Sequence, residues 1–189
     1  FGQNIVVAGE FGYPSMVNQI IAALGVSSAN YIFFCEHDVL YHKSHFDFTP
    51  PEPDIYYYNM NNWRWDYPTP RVIKYDGLTS LSQLCANRHL ALKHYKARFE
   101  EMKEVGLPKF SQKDPHLARL WGYEPGRKKQ SSGALLEEKS DSWNSAYPNI
   151  DIRHKGTFSL PKVKLKDFHN KPTGWVESTL DKIPGWDFE

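Results

Sequence analysis

The chain has 189 residues, of which 40% are hydrophobic, 24% charged and 15% aromatic, and its formal net charge is +1. These values are typical of a globular domain, and the near-neutral charge excludes the global positive field that captures nucleic acid or anionic membranes. No run of 18 apolar residues occurs, so no transmembrane helix is expected. The two cysteines, Cys35 and Cys85, each lie in an apolar stretch, which predicts buried thiols in a reduced, cytoplasmic protein.

The first 35 residues are predicted to form a βαβ unit. The run "NIVVA" (4–8) is the first strand candidate, and Tyr31 to Cys35 is the second. A helix is expected between them, with Ser15 as its N-cap and Gly25 or the following serines at its end. Its apolar residues recur at helical spacing: Val17, Ile20, Ile21 and Leu24. Strand, helix and strand in this order imply a parallel pair and an α/β sheet.

Further elements follow from Pro50 onward. We expect strands at 54–60 and 71–75, joined by the aromatic stretch "NNWRWDYPTP", and a long helix from about His89 to Glu104 that ends near Gly106. The remaining expectations are a short helix at 114–121, a surface loop at 126–145, a strand at 149–154 ("NIDIRH") and an irregular tail at 161–189. The basic residues at 127–129 and at 162, 164 and 166 are expected to be solvated surface.

The triplet Glu36-His37-Asp38 directly follows the second predicted strand. On an extended segment the side chains alternate, so Glu36 and Asp38 are expected on one side and His37 on the other. Two carboxylates at the carboxyl end of a strand suit a hard divalent ion that also holds substrate phosphates. An exposed strand end, with Asp38 capping the next turn, is the alternative interpretation. A zinc site built from His37, His42 and His45 with Asp38 is a further alternative, although the spacing of these residues matches no closed zinc signature.

Residues 1–48 and the later stretch "KDPHLARLWGYEPG" (113–126) together resemble glycosyltransferases of the GT-A fold, close to the large family-two-like group. The resemblance covers residues 1–160, with the tail 161–189 packing on that domain. It implies an α/β, GT-A-like (Rossmann-like) mixed sheet flanked by helices. It also implies that the N-terminal βαβ of the fold, which grips the nucleobase, is absent from this chain.

The resemblance further implies a metal and diphosphate site. Its Asp-x-Asp motif falls on Glu36-His37-Asp38, with glutamate in place of the first aspartate, and would bind the diphosphate of a nucleotide sugar through Mn²⁺ or Mg²⁺. His154, after the last strand, would complete that site. Without the resemblance, a partly buried histidine at a strand end is the expected interpretation of His154.

The same resemblance places the catalytic base on Asp114, although Lys113 and His116 depart from the acidic neighbours of the family pattern. Glu124 is therefore a rival for this role. The alternative for Asp114 is an ordinary N-cap before Pro115.

Aromatic residues supply candidates for substrate binding. Trp63 and Trp65 suit a stacking platform for a sugar or nucleobase, although a hydrophobic wall under a loop explains them equally well. Trp121, beside the candidate base, and Arg127 are further candidates.

The sequence therefore predicts a metal-dependent glycosyltransferase that moves a hexose from a nucleotide-diphosphate donor to a hydroxyl acceptor. The acceptor would be a glycan or a modified base in phage DNA, in a protein of bacterial or phage origin. The alternative function is a non-catalytic α/β module that binds carbohydrate or nucleic acid through its aromatic residues.

Overall fold

The computed structural model describes residues 2–9, 12–106, 124–126, 139–156 and 162–188. These residues form two α-helices, α1 (Tyr13–Val26) and α2 (Arg88–Val105), and nine strands. The strands are β1 Tyr31–Phe33, β2 Val39–Leu40, β3 Ile55–Asn59, β4 Asn62–Asp66, β5 Arg71–Lys74, β6 Leu84–Asn87, β7 Lys139–Trp143, β8 Asn149–Arg153 and β9 Val176–Thr179. Within the described ranges, no helix combines the length and apolar character needed to cross a membrane.

The strands form two sheets. The four-stranded sheet has the order β1-β6-β3-β7, and the five-stranded sheet has the order β2-β8-β4-β5-β9. In the five-stranded sheet β4 and β8 are parallel, whereas the β2–β8, β4–β5 and β5–β9 pairs are antiparallel. The broader part of the predicted fold class, a mixed α/β protein, is confirmed.

The two faces of the five-stranded sheet differ because side chains alternate along each strand. Trp63 of β4 lies opposite Ile150 of β8, and Trp65 lies opposite Ile152. Both tryptophans pack on a core of three buried residues, Val72, Ile150 and Ile183. Full burial of a valine or isoleucine side chain stabilises the fold by about 1.5–3 kcal/mol. The opposite face of the same strands carries charged residues.

Both described helices have identifiable ends. α2 begins at the Asn87 cap, whose Oδ1 accepts hydrogen bonds from the backbone N–H groups of His89 (2.9 Å) and Leu90 (3.3 Å). It ends at Gly106, whose φ of +101° favours glycine. α1 has Gly12 at its N-cap position. The predicted cap Ser15 is wrong because it lies inside the first turn.

Several predicted elements differ from the structure. The run 4–8 forms no strand. No described strand pairs with this segment, and Val6 is 85% exposed. The predicted βαβ unit therefore does not form in the described residues. β1 ends at Phe33, two residues earlier than predicted, which leaves Cys35 exposed, while Cys85 is buried as expected.

Strands also occur where irregular structure was predicted. The aromatic stretch contains β4, the predicted surface loop contains β7, and the predicted irregular tail contains β9. The short helix predicted at 114–121 lies outside the described residues.

The chain divides into two compact units. The first comprises residues 1–32, 50–56 and 86–140, and the second comprises 33–49, 57–85 and 141–189. In the first unit, the Arg98 guanidinium of α2 donates a hydrogen bond to the Tyr13 hydroxyl of α1 (3.0 Å). The second unit contains the whole five-stranded sheet and the triplet Glu36-His37-Asp38.

Candidate functional site

The triplet forms a turn, and its side chains do not alternate along a strand as predicted. The Val39 N–H donates a hydrogen bond to the Glu36 carbonyl (3.4 Å), so His37 and Asp38 occupy the centre of the turn. Residues 36–39 are called the acid turn below. The Glu36 N–H donates to the Tyr41 hydroxyl (2.9 Å), which in turn donates to the Ser82 carbonyl (3.0 Å). These bonds fix the start of the acid turn on the second unit.

The other end of the acid turn is attached to β8. The Ile152 N–H donates a hydrogen bond to the Asp38 carbonyl (2.8 Å), and Val39 lies directly opposite Asp151 in the antiparallel β2–β8 pair. The pairing of β2 with β8 therefore brings a third carboxylate, that of Asp151, close to Glu36 and Asp38.

Asp151 is a buried acid held between two arginines. It is 4% exposed, with the Arg64 Nε 3.7 Å from its Oδ2 and the Arg153 Nη1 3.4 Å from its Oδ1. A buried carboxylate requires such partners because its desolvation is costly. The sequence analysis did not identify these three residues as part of the site. The sequence signal that could have found them is a charged residue between two apolar ones, as for Arg64 in "NWRWD" and Asp151 in "NIDIR".

The surroundings of Glu36 and Asp151 favour the protonated form of each carboxyl group. Burial, and then the charges of Asp38 and Asp151, raise the pKa of Glu36 to about 7, against the opposing effects of Arg153 and His37. Burial also raises the pKa of Asp151, although the two arginines lower it. Glu36 therefore accepts a proton near neutral pH, and a bound cation would relieve the same repulsion.

Glu36 and Asp38 are the residues of the acid turn that could hold a divalent metal. Mg²⁺ is commonly held by one or two carboxylates, with phosphate and water oxygens completing the octahedron, and Glu36 and Asp38 provide such a pair. Among the described residues no group of three or more His, Cys, Asp or Glu side chains is arranged to hold a metal. The predicted set of Glu36, Asp38 and His154 is therefore not assembled here. His154 lines a cavity with Asp66, and its metal role stays a prediction.

Two histidines of the zinc alternative, His42 and His45, have other partners. The His42 Nδ1 accepts a hydrogen bond from the Ser44 N–H (3.2 Å), and its ring packs against Tyr147. His45 is fully buried, with its Nδ1 3.0 Å from the amide nitrogens of Asn59 and Asn149. These side chains cap a 3₁₀ turn and fill the core, so nothing in the described chain supports a zinc site.

The aromatic candidates on β4 have a packing role. Trp63 and Trp65 lie against the Val72, Ile150 and Ile183 core, and the Trp65 indole N–H donates to the Thr69 carbonyl. The hydrophobic-wall interpretation therefore describes their position.

The remaining candidates lie elsewhere. Glu124 belongs to the first unit, where its charge contributes to a raised pKa of Tyr13, whose main cause is burial. Its role as a base stays a prediction. Three candidates fall outside the described residues: Asp114, Trp121 and Arg127.

Comparison with known proteins adds no assignment. No protein-family model matches the chain. Searches of curated proteins and of solved structures returned no match either. The acid turn and the residues around it are therefore the basis for proposing a function.

Proposed function

We propose that the chain is a metal-dependent glycosyltransferase of the GT-A type, which transfers a hexose from a nucleotide-diphosphate sugar to a hydroxyl acceptor with Mn²⁺ or Mg²⁺. The observation that carries the proposal is the acid turn. Glu36 and Asp38 share one tight turn beside the buried Asp151, and burial, together with the charges of Asp38 and Asp151, raises the pKa of Glu36 to about 7. Such a concentration of negative charge is favourable where a cation and a diphosphate bind.

The chemistry of transfer explains why two carboxylates are needed at this point. When bound, the cation supplies positive charge that neutralises the departing diphosphate. Glu36 and Asp38 would hold it, and the chain prepares them by fixing the turn at both ends. The Tyr41 hydroxyl holds the Glu36 N–H, and the Ile152 N–H holds the Asp38 carbonyl. Groups fixed in advance need no reorganisation when charge develops in the reaction.

Proton transfer from the acceptor requires a separate base. A carboxylate placed opposite the leaving group removes the hydroxyl proton as the new glycosidic bond forms. Asp114 is our first candidate for this role and Glu124 the second. Both a glycan and a modified base in phage DNA satisfy the requirement for a hydroxyl acceptor.

The alternative of a non-catalytic binding module is less well supported. It relied on Trp63 and Trp65 as an exposed stacking platform, and both pack on the core of the second unit. The acid turn, in contrast, has no role in that alternative. The transferase proposal accounts for the acid turn directly.

Release of nucleoside diphosphate from a panel of nucleotide sugars tests the proposal. We expect release with Mn²⁺ or Mg²⁺, none with a chelator, and a loss of about a hundredfold or more in Asp38→Asn. Asp54→Asn removes an exposed carboxylate elsewhere and serves as the matched control. Release that is unchanged in Asp38→Asn contradicts the proposal. Sugar binding that persists in Asp38→Asn, without release from any donor, supports the binding module instead.

A further inference from the structure

A cavity of about 290 Å³ lies beside the end of β8 in the second unit. Four cationic residues line it: Arg153, Lys155, Lys164 and Lys166. The whole chain has a net charge of only +1, so this is a local concentration of positive charge. Two aspartates, Asp66 and Asp167, also line the cavity, so its lining carries an excess of positive charge, which attracts a ligand of the opposite sign.

Two of these lysines stand on an anchored segment, residues 162–167, called the basic strap below. The Asp167 Oδ2 accepts hydrogen bonds from the backbone N–H groups of Val163 (3.2 Å) and Lys164 (2.8 Å). Arg64 donates to the Lys162 carbonyl (3.4 Å), and Arg71 donates to the Val163 carbonyl. The positions of the strap lysines are therefore defined by the fold.

The acids that line the cavity are already engaged. The Asp66 carboxylate pairs with Arg71 (3.5 Å), and the Asp167 carboxylate accepts the backbone hydrogen bonds of the basic strap. No carboxylate in the described part of the chain forms an ion pair with Lys155, Lys164 or Lys166. Their positive charges are therefore available to a ligand in the cavity.

One further side chain indicates what kind of anion fits. Tyr67 is 52% exposed, and its ring lies at 81° to the Trp65 ring, with 5.2 Å between the ring centroids. The cavity thus combines several donors for anionic oxygens with a supported aromatic face.

We propose that this cavity binds a phosphate-bearing small molecule without a metal, with the phosphate on the lysines and an attached ring against Tyr67. Ammonium groups form charge-assisted hydrogen bonds with phosphate oxygens, and aromatic rings stack on tyrosine. The inference uses no carboxylate of the acid turn and does not rest on the proposed transferase activity. Arg153 links the cavity to the surroundings of the acid turn, because it lines the cavity and pairs with Asp151.

Calorimetric titration of the full chain with phenyl phosphate, at low ionic strength and with a chelator present, tests the inference. We expect saturable binding to one site. In the double variant Lys164→Ala/Lys166→Ala the dissociation constant should rise about tenfold for each lysine removed. The control pair Lys93→Ala/Lys171→Ala removes two exposed lysines that do not line the cavity and should bind as the unmodified chain does. Tyr67→Leu should weaken phenyl phosphate but not inorganic phosphate. Unfolding midpoints establish that each variant is folded.

The inference is overturned if the unmodified chain shows no saturable binding, or if the control pair weakens binding as much as the strap pair. Binding that requires Mg²⁺ and is lost in Asp38→Asn also overturns it, because the ligand then lies at the acid turn. Binding that survives Asp38→Asn supports it. If the chain shows such binding but releases no nucleoside diphosphate from any donor, the proposed function is contradicted and the inference still holds.

Discussion

Lowering the pH from 7 to 4 is expected to destabilise the second unit through His45. This side chain is fully buried among the rings of Phe33, Phe46 and Trp143. Its Nδ1 accepts hydrogen bonds from the amide nitrogens of Asn59 and Asn149, at 3.0 Å each. Protonation of Nδ1 would turn this acceptor into a donor facing two other donors. The folded chain therefore keeps the ring neutral.

The orientation of both amides supports this assignment. The Asn59 Oδ1 accepts the Ser145 N–H (3.2 Å), and the Asn149 Oδ1 accepts the His42 N–H (3.0 Å). Because the oxygens are fixed by backbone donors, the amide nitrogens must point to His45. The ring nitrogen between them must then be an acceptor.

The size of the effect follows from the pKa. Burial lowers the pKa of His45 from 6.5 to about 4. Between these pH values the unfolded chain binds a proton that the folded chain does not, so stability falls as the pH decreases and is unaffected above the unfolded pKa. Each pKa unit corresponds to about 1.4 kcal/mol, so the contribution of His45 alone should lower the free energy of unfolding by about 3 kcal/mol between pH 7 and pH 4.

Glu36 acts in the opposite direction, because its folded-state pKa is raised and the folded chain takes up its proton first. The contribution of His45 is therefore isolated by urea unfolding of the unmodified chain and of His45→Gln across this pH range. Glutamine retains an acceptor oxygen but does not ionise. His169→Gln, which alters an exposed histidine, is the control and should retain the pH dependence of the unmodified chain.

Comparing the unmodified chain with His45→Gln can refute the assignment of His45 as a neutral acceptor. If the unmodified chain and His45→Gln lose the same free energy of unfolding between pH 7 and pH 4, the argument from the two amide donors is wrong. A His45 ring that titrates near pH 6.5 by NMR would show the same error directly.

Three further substitutions test the packing and polar contacts of the second unit by urea unfolding. Ile150→Ala should lower the free energy of unfolding by about 2–5 kcal/mol, because it leaves a cavity in the core; a loss below 1 kcal/mol would show that the core collapses around the site. Tyr41→Phe removes the hydroxyl that links the acid turn to Ser82 and should cost about 1–3 kcal/mol, whereas no loss would mean that water replaces it. Asp151→Asn leaves two arginine charges without their buried partner and should cost about 3–5 kcal/mol; a neutral result would contradict the buried ion pair.

The elements that the sequence predicted well carry strong local signals. α1 and α2 have apolar residues at helical spacing with small or polar residues at their ends, β3 is an aromatic run, and β5 and β8 each contain two β-branched apolar residues. β4 alternates tryptophan with charged residues and β9 has only one large apolar residue, so the strand state of both depends on partners distant in the chain. Conversely, the apolar run at 4–8 forms no strand because a strand also needs a neighbour.

The candidate site also combines residues that a local pattern indicates with a residue that only long-range pairing brings in. Glu36 and Asp38 were predicted to lie together, and they do, but in a turn rather than on one side of an extended strand. Asp151 was missed because its approach to the acid turn depends on the pairing of β2 with β8. Local sequence cannot reveal such a pairing.

The position of β9 has a consequence for the order in which the protein is made. β9 is the outer neighbour of β5, and Ile183, directly after it, fills the core with Val72 and Ile150. A ribosome-bound chain that stops short of Ile183 would leave this apolar face uncovered and the β5 backbone open to pairing with another nascent chain. The five-stranded sheet can thus be completed only after β9 and Ile183 have been synthesised.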